Sequence, residues 1–153
     1  MGIRKECKCK SSAFRAVNTA TSIPFPVANT FGRVLFSNEQ FDLANEYNPA
    51  TSTFVAKTAG IYFFTSAIIF RPNNLNVDYE VQLQFTVNGS APDVEVDYTG
   101  FNAAIFNVVE VNDILRLNAG DRVEVIALST TPGSILADSR VRFAGARFPS
   151  PTA

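Results

Sequence analysis

The sequence predicts an all-β domain, a sandwich or a barrel, and three observations carry that prediction. Turn-forming residues recur at strand spacing along the chain. Tyr79 to Val87 alternates apolar and polar side chains without a break, the period of a half-buried strand. No segment reads as a helix long enough to cover a sheet. At 153 residues and 46% hydrophobic, the chain fits one compact domain and is too apolar for a disordered one.

In chain order, residues 1–12 read as a flexible basic arm containing Cys7-Lys8-Cys9. Pro24, Pro26 and Asn29 precede an apolar segment, Val34 to Phe36, and Asn45 to Ala50 form a turn-rich link into Thr53 to Val55. The run Gly60 to Phe70 follows, apolar on both faces of a strand. Its alternate side chains put Ile61, Phe63, Thr65, Ala67 and Ile69 on one face and Tyr62, Phe64, Ser66, Ile68 and Phe70 on the other. A sandwich dries only one face of each sheet, so the second face calls for a helix layer or another copy of the protein. Without a helix, a partner subunit is the simplest cover. Pro72-Asn73-Asn74 closes this strand, and Asn88-Gly89 ends the next in a tight turn. Ile114 to Leu117 and Val123 to Leu128 flank a hairpin-like break at Asn118-Ala119-Gly120-Asp121. Pro132-Gly133 makes a turn before a last strand, Val141 to Phe148, and residues 149–153 form a short tail.

The chemical inventory excludes more than it offers. With no His there is no Ser-His-Asp triad, Cys-His dyad or imidazole metal site. Gly-rich phosphate loops are absent. A net charge of -1 recruits neither nucleic acid nor an acidic membrane, and no apolar run is long enough for a membrane helix. An enzyme would have to rest on carboxylates alone, and the reading is non-enzymatic. Asp93, Glu95 and Asp97 alternate on one strand face, where they either bind a hard cation such as calcium or form a solvated surface. Tyr98 and Phe101 beside them either belong to a binding surface or anchor a loop. Cys7 and Cys9, one residue apart, make a strained pair with each other and are better placed for bonds between chains; the alternative is an unpaired arm in a reducing cytosol. Asn88-Gly89-Ser90 is a formal glycosylation sequon that its role as a turn already explains. Met1 to Lys10 is charged and polar, unlike a secretory signal, so the chain is expected to be made in the cytosol.

Phe36, Asp42, Tyr47, Phe54, Gly60, Tyr62 and Phe64 stand at the spacings of the signature of the complement C1q globular head, a family similar in fold to tumour necrosis factor. Ser12 to Ala16 resembles its opening strand, Val87-Asn88-Gly89 its central hairpin, Leu117 to Val123 its Gly-Asp turn and Val141 to Gly145 its closing strand. The resemblance covers about residues 12–148, and its one departure is Ser66, where the pattern has an aromatic residue.

The resemblance implies a ten-stranded jelly-roll β-sandwich over residues 13–148 that assembles as a homotrimer. It places Tyr62, Phe64, Ile68 and Phe143 in the core. It turns Phe63, Thr65, Ala67, Ile69, Arg142, Ala144, Ala146 and Phe148 toward neighbouring subunits, with Glu110 on a strand bordering the axis. A charge there must be paired, so Glu110 and Arg142 are expected either to meet or to lie at a solvated rim. The collagen stalk of the family's serum members is absent from this sequence. That points to a bacterial surface or spore-layer protein, with Cys7 and Cys9 linking trimers into a larger assembly. The alternative is a soluble trimeric ligand that engages a receptor or carbohydrate through its loops.

Overall fold

The computed structural model describes residues 11–91, 97–101 and 107–150, with the backbone alone described at 97–101. It contains β1 (Ala13–Asn18), β2 (Ile23–Phe25), β3 (Gly32–Arg33), β4 (Asn38–Asp42), β5 (Tyr47–Asn48), β6 (Thr53–Val55), β7 (Gly60–Pro72), β8 (Glu80–Val87), β9 (Asp97–Phe101), β10 (Asn107–Leu117), β11 (Arg122–Ser129), β12 (Gly133–Ile135) and β13 (Asp138–Arg147). The ten strands of the resemblance therefore appear as eight strands of five residues or more and five segments of two or three. Among the described residues no helix is long and apolar enough to cross a membrane.

The strands form two antiparallel sheets. The first runs β2-β12-β7-β13-β1-β4, with β10 also paired to β7. Because Tyr62 to Ala67 pair with β10 and β13 at once, β10 lies on the far side of β7 and is an edge strand. The second sheet runs β5-β6-β11-β8-β9, with β3 beside β11. The run Gly60 to Phe70 is the spine of the first sheet, extended to Pro72.

Between the sheets lies an aromatic core. Phe14 stacks on Tyr47 at 4.9 Å and meets Phe143 edge-on at 4.9 Å, while Phe54 meets Phe64 edge-on at 5.2 Å. Such pairs add about 0.5–1.5 kcal/mol each beyond the area they bury. The Tyr47 hydroxyl donates to the Phe36 carbonyl at 2.6 Å, and burial pushes its pKa up to about 12. Gly145 pairs with Phe14 on one side and Phe64 on the other. A Cβ there would sit 2.6 Å from the Phe64 ring, so the two aromatics close over a position without a side chain. Ser66 is fully buried and donates to the Arg142 carbonyl at 2.9 Å, which satisfies its hydroxyl where the family pattern has a ring.

Three local outcomes differ from the sequence reading. Val34 and Phe36 are buried, but the chain there follows β11 through a single bond, Val34 N–H to the Val125 carbonyl, and the ladder itself is confined to Gly32–Arg33. On β8, Gln84 and Thr86 face away from the core yet are buried, while Gln82 on the same face is only partly so. Pro132-Gly133 does not simply turn, since Gly133 already opens β12.

A further feature went unread in the sequence. Glu46 is buried at the base of the sandwich, accepting hydrogen bonds from the Ser12 hydroxyl at 2.5 Å and the Lys57 N–H at 2.8 Å. It ties the start of β1 to the loop before β7. Burial, and then the Glu46 charge, raise the pKa of the neighbouring Tyr62, whose hydroxyl donates to the Thr58 carbonyl at 2.7 Å.

Candidate functional site

Strands β10, β7, β13, β1 and β4 lie side by side, and directly paired residues in such a sheet share a face. On the outer face, one row contains Ile114, Phe63, Ala146 and Ala13. The next contains Asn112, Thr65, Ala144, Arg15 and Phe41, with Arg15 hydrogen-bonded to Gln40. A third contains Glu110, Ala67 and Arg142, and a fourth Val108 and Ile69. At the opposite end Arg116 pairs with Ile61, whose carbonyl accepts the Phe148 N–H at 2.9 Å.

The structure thus brings Phe63, Thr65, Ala67, Ile69, Glu110, Arg142, Ala144, Ala146 and Phe148 onto one surface. Their exposures differ. Phe63 is 37% and Phe148 48% exposed, whereas Ala67 and Ile69 are each 1% exposed within the single chain. Ile69 belongs to the buried core beside Leu136, whose N–H donates to its carbonyl at 2.9 Å. A neighbour would therefore find little of Ala67 or Ile69 left to cover; the open apolar side chains of this face are Val108, 52% exposed opposite Ile69, Phe41 in the second row and, at the other end, Phe63. There the structure adds a residue that sequence reasoning missed. Ile114 stands directly opposite Phe63 and is 59% exposed.

Glu110 and Arg142 flank Ala67 from either side, and Arg142 Nη2 lies 3.1 Å from Glu110 Oε1. The ion pair spans two strand spacings, which only a small side chain on the strand between permits. Both side chains keep partial solvent access, 28% for Arg142 and 47% for Glu110. Beyond the apolar row, Ile61, Arg116, Phe148 and Pro149 line a shallow hollow of about 280 Å3.

The remaining sequence candidates separate by region. Cys7, Cys9, Asp93 and Glu95 lie outside the described residues, and so do the side chains of Asp97, Tyr98 and Phe101 on β9. Among the described residues no group of three or more His, Cys, Asp or Glu is arranged to hold a metal. Asn88 and Gly89 both take positive φ, 52° and 82°, as a two-residue hairpin turn requires. Asn88 Nδ2 donates to Asp121 Oδ1 at 3.0 Å, and the Asn118 N–H donates to Asp121 Oδ2 at 2.7 Å, so the two predicted turns are clasped together. Those bonds, led by the one from Asn88, hold the Asp121 carboxyl below the usual carboxylate range.

Comparison with known proteins agrees with this architecture. The family model of the C1q domain matches residues 13–145. The globular domain of zebrafish complement 1qA superposes with a TM-score of 0.64 at 19% identity, covering 93% of this chain and 100% of its own. Eiger TNF from S. frugiperda superposes with a TM-score of 0.63 at 12% identity, covering 94% of this chain and 96% of its own. Murine APRIL gives 0.61 at 13% identity, covering 91% and 100%. No curated protein matches the sequence.

Proposed function

The chain belongs to the C1q domain family, and on that premise we propose that it is a non-enzymatic homotrimeric module whose three copies meet on the outer face of β7, β10 and β13. The observation that carries this reading is the exposed row of Phe63 and Ile114, with Phe148 beside it, on an otherwise well-folded single chain. Covering one such side chain stabilises by roughly 1.5–3 kcal/mol when burial is complete. Three copies of each contribute on a scale comparable to the entropy lost on association. Ala144 and Ala146 keep the adjacent strand low, so a neighbouring backbone can approach.

The role proposed for the trimer is to build or decorate a cell- or spore-surface layer, with Cys7 and Cys9 as the cross-linking thiols. Two thiols one residue apart close poorly on each other, which favours bonds between chains.

Size-exclusion chromatography with light scattering tests both parts. The purified chain is expected at three times its 16.7 kDa mass in reductant. Multiples of that trimer are expected under oxidising conditions and are expected to vanish in a Cys7→Ser, Cys9→Ser variant. Ile114→Asp, a change at an exposed side chain, is expected to give a folded monomer. A wild-type monomer at micromolar concentration refutes the trimer, and an oxidised sample free of multiples refutes the cross-link.

A further inference from the structure

At the far end of β7 a hollow of about 380 Å3 is lined by Ser22, Arg71, Pro72, Asn73, Ser134 and Leu136. We propose that it binds the carboxylate of an acidic sugar residue. Arg71 and Ser134 are directly paired across β7 and β12, so their side chains stand on one face about 5 Å apart. Phe70 and Ile135, the next pair, point into the core, which turns Arg71 and Ser134 outward. The Asn73 N–H donates to the Pro132 carbonyl at 3.0 Å and fastens the end of β7 to the start of β12. The two strands approach so closely that a Cβ on Gly133 would sit 2.4 Å from the Arg71 carbonyl oxygen. The wall of the hollow is therefore fixed by backbone contacts.

The electrostatics select the ligand. Among the described residues Arg33 pairs with Glu124, Arg140 with Asp138 and Arg142 with Glu110, whereas the exposed Arg71 guanidinium has neither ion pair nor hydrogen bond. Among the described residues no carboxylate lines the hollow. A planar guanidinium offers a fork that a carboxylate accepts with both oxygens. One cation balances one negative charge, whereas a phosphate monoester carries nearly two at neutral pH. The hydroxyls of Ser22 and Ser134 and the amide of Asn73 both donate and accept, which suits the hydroxyls of a sugar ring. Pro72 and Leu136 supply apolar surface for the ring's C–H face. The volume lies within the usual range for small-molecule sites, roughly 300–1,000 Å3. The Arg71 hollow lies eight residues along β7 from Phe63, at the other end of the strand.

Titration of the full chain with sodium glucuronate, followed by backbone amide shifts, tests the site. Shifts are expected at Arg71, Asn73 and Ser134, and none of comparable size with glucose at equal concentration. Arg71→Gln is expected to weaken glucuronate by about tenfold or more, the scale of one charge-assisted pair. Arg71→Lys is expected to recover only part of that loss, because an ammonium lacks the fork. Ser134→Ala is expected to weaken binding by a smaller factor. Equal binding of glucose, unchanged affinity in Arg71→Gln, or tighter binding of inorganic phosphate at the same amides would each overturn the assignment.

Discussion

Asp138 shows what one residue contributes on an exposed surface. Arg140 Nε and Nη2 reach its two carboxylate oxygens at 2.9 Å each, and the Arg140 N–H adds a third bond at 2.8 Å. These hydrogen bonds, led by those from the guanidinium, lower its pKa from 3.8 to about 2. A carboxyl whose folded pKa is depressed lends stability above its unfolded pKa, and that contribution is lost as pH falls through the folded value. The window here runs from 3.8 down to about 2. The side-chain carboxyl of Asp138 is therefore expected to titrate with a midpoint near 2 by carbon-detected NMR, and to return toward 3.8 in Arg140→Gln. An unchanged midpoint in that variant would remove Arg140 as the cause. Solvent access to the pair limits what it contributes to folding, so its value is as a reporter of local geometry.

At the scale of elements, β13 is held between β1 and β7, which pair with it on either side. Gly145→Ala places a methyl against the Phe64 and Phe14 rings, at 2.6 Å and 3.0 Å. Overpacking of this kind costs about 1–3 kcal/mol. Thermal unfolding is expected to shift down by about 2–4 °C for each kcal/mol in a chain of this size. An unshifted midpoint would mean the rings yield freely. The long strands were legible in the sequence, β8 through a period of two in its apolar side chains and β7 as a continuous apolar run bounded by turn residues. The short segments were not. Val34 to Phe36 is as apolar as a strand, but apolar content records burial and not the ladder, and only Gly32–Arg33 pairs. The candidate face on β7 and β13 came from the family resemblance, because β7 is apolar on both faces and its alternation alone names no outward side. On β10 that face went unread at Ile114, because Asp113 breaks the apolar inward series of Val109, Val111, Leu115 and Leu117. Its Oδ2 is buried without a hydrogen bond among the described residues. With a charge on the inward side and Ile114 on the outward side, parity on β10 could not be read, and Ile114 was lost with it.

For the whole molecule, a closed ring of three copies requires a heterologous contact, in which two different patches of each chain meet. The outer face of the first sheet supplies both an apolar zone around Phe63 and Ile114 and a charged zone at Glu110 and Arg142. Closure has opposite consequences for the two. Apolar side chains gain from losing water, whereas an ion pair loses hydration that its mutual attraction only partly restores. How far the ring closes over the pair decides its worth. If Glu110 and Arg142 are covered, removing one partner leaves an unpaired charge in the interface, and Glu110→Ala alone is expected to weaken the trimer by about 1–3 kcal/mol or more. Removing both is then expected to restore most of that loss, since no orphaned charge remains. If the pair lies at a solvated rim, each single variant is expected to cost less than about 1 kcal/mol and the double variant the sum of the two. A double-mutant cycle on the trimer dissociation constant separates the cases. Our expectation is coupling: the pair is already partly shielded in one chain, and it lies two residues along β10 and β7 from the Thr65–Asn112 row, next to the apolar contact. Additive single variants would place Glu110 and Arg142 outside the ring and confine the interface to the Phe63 end of the sheet.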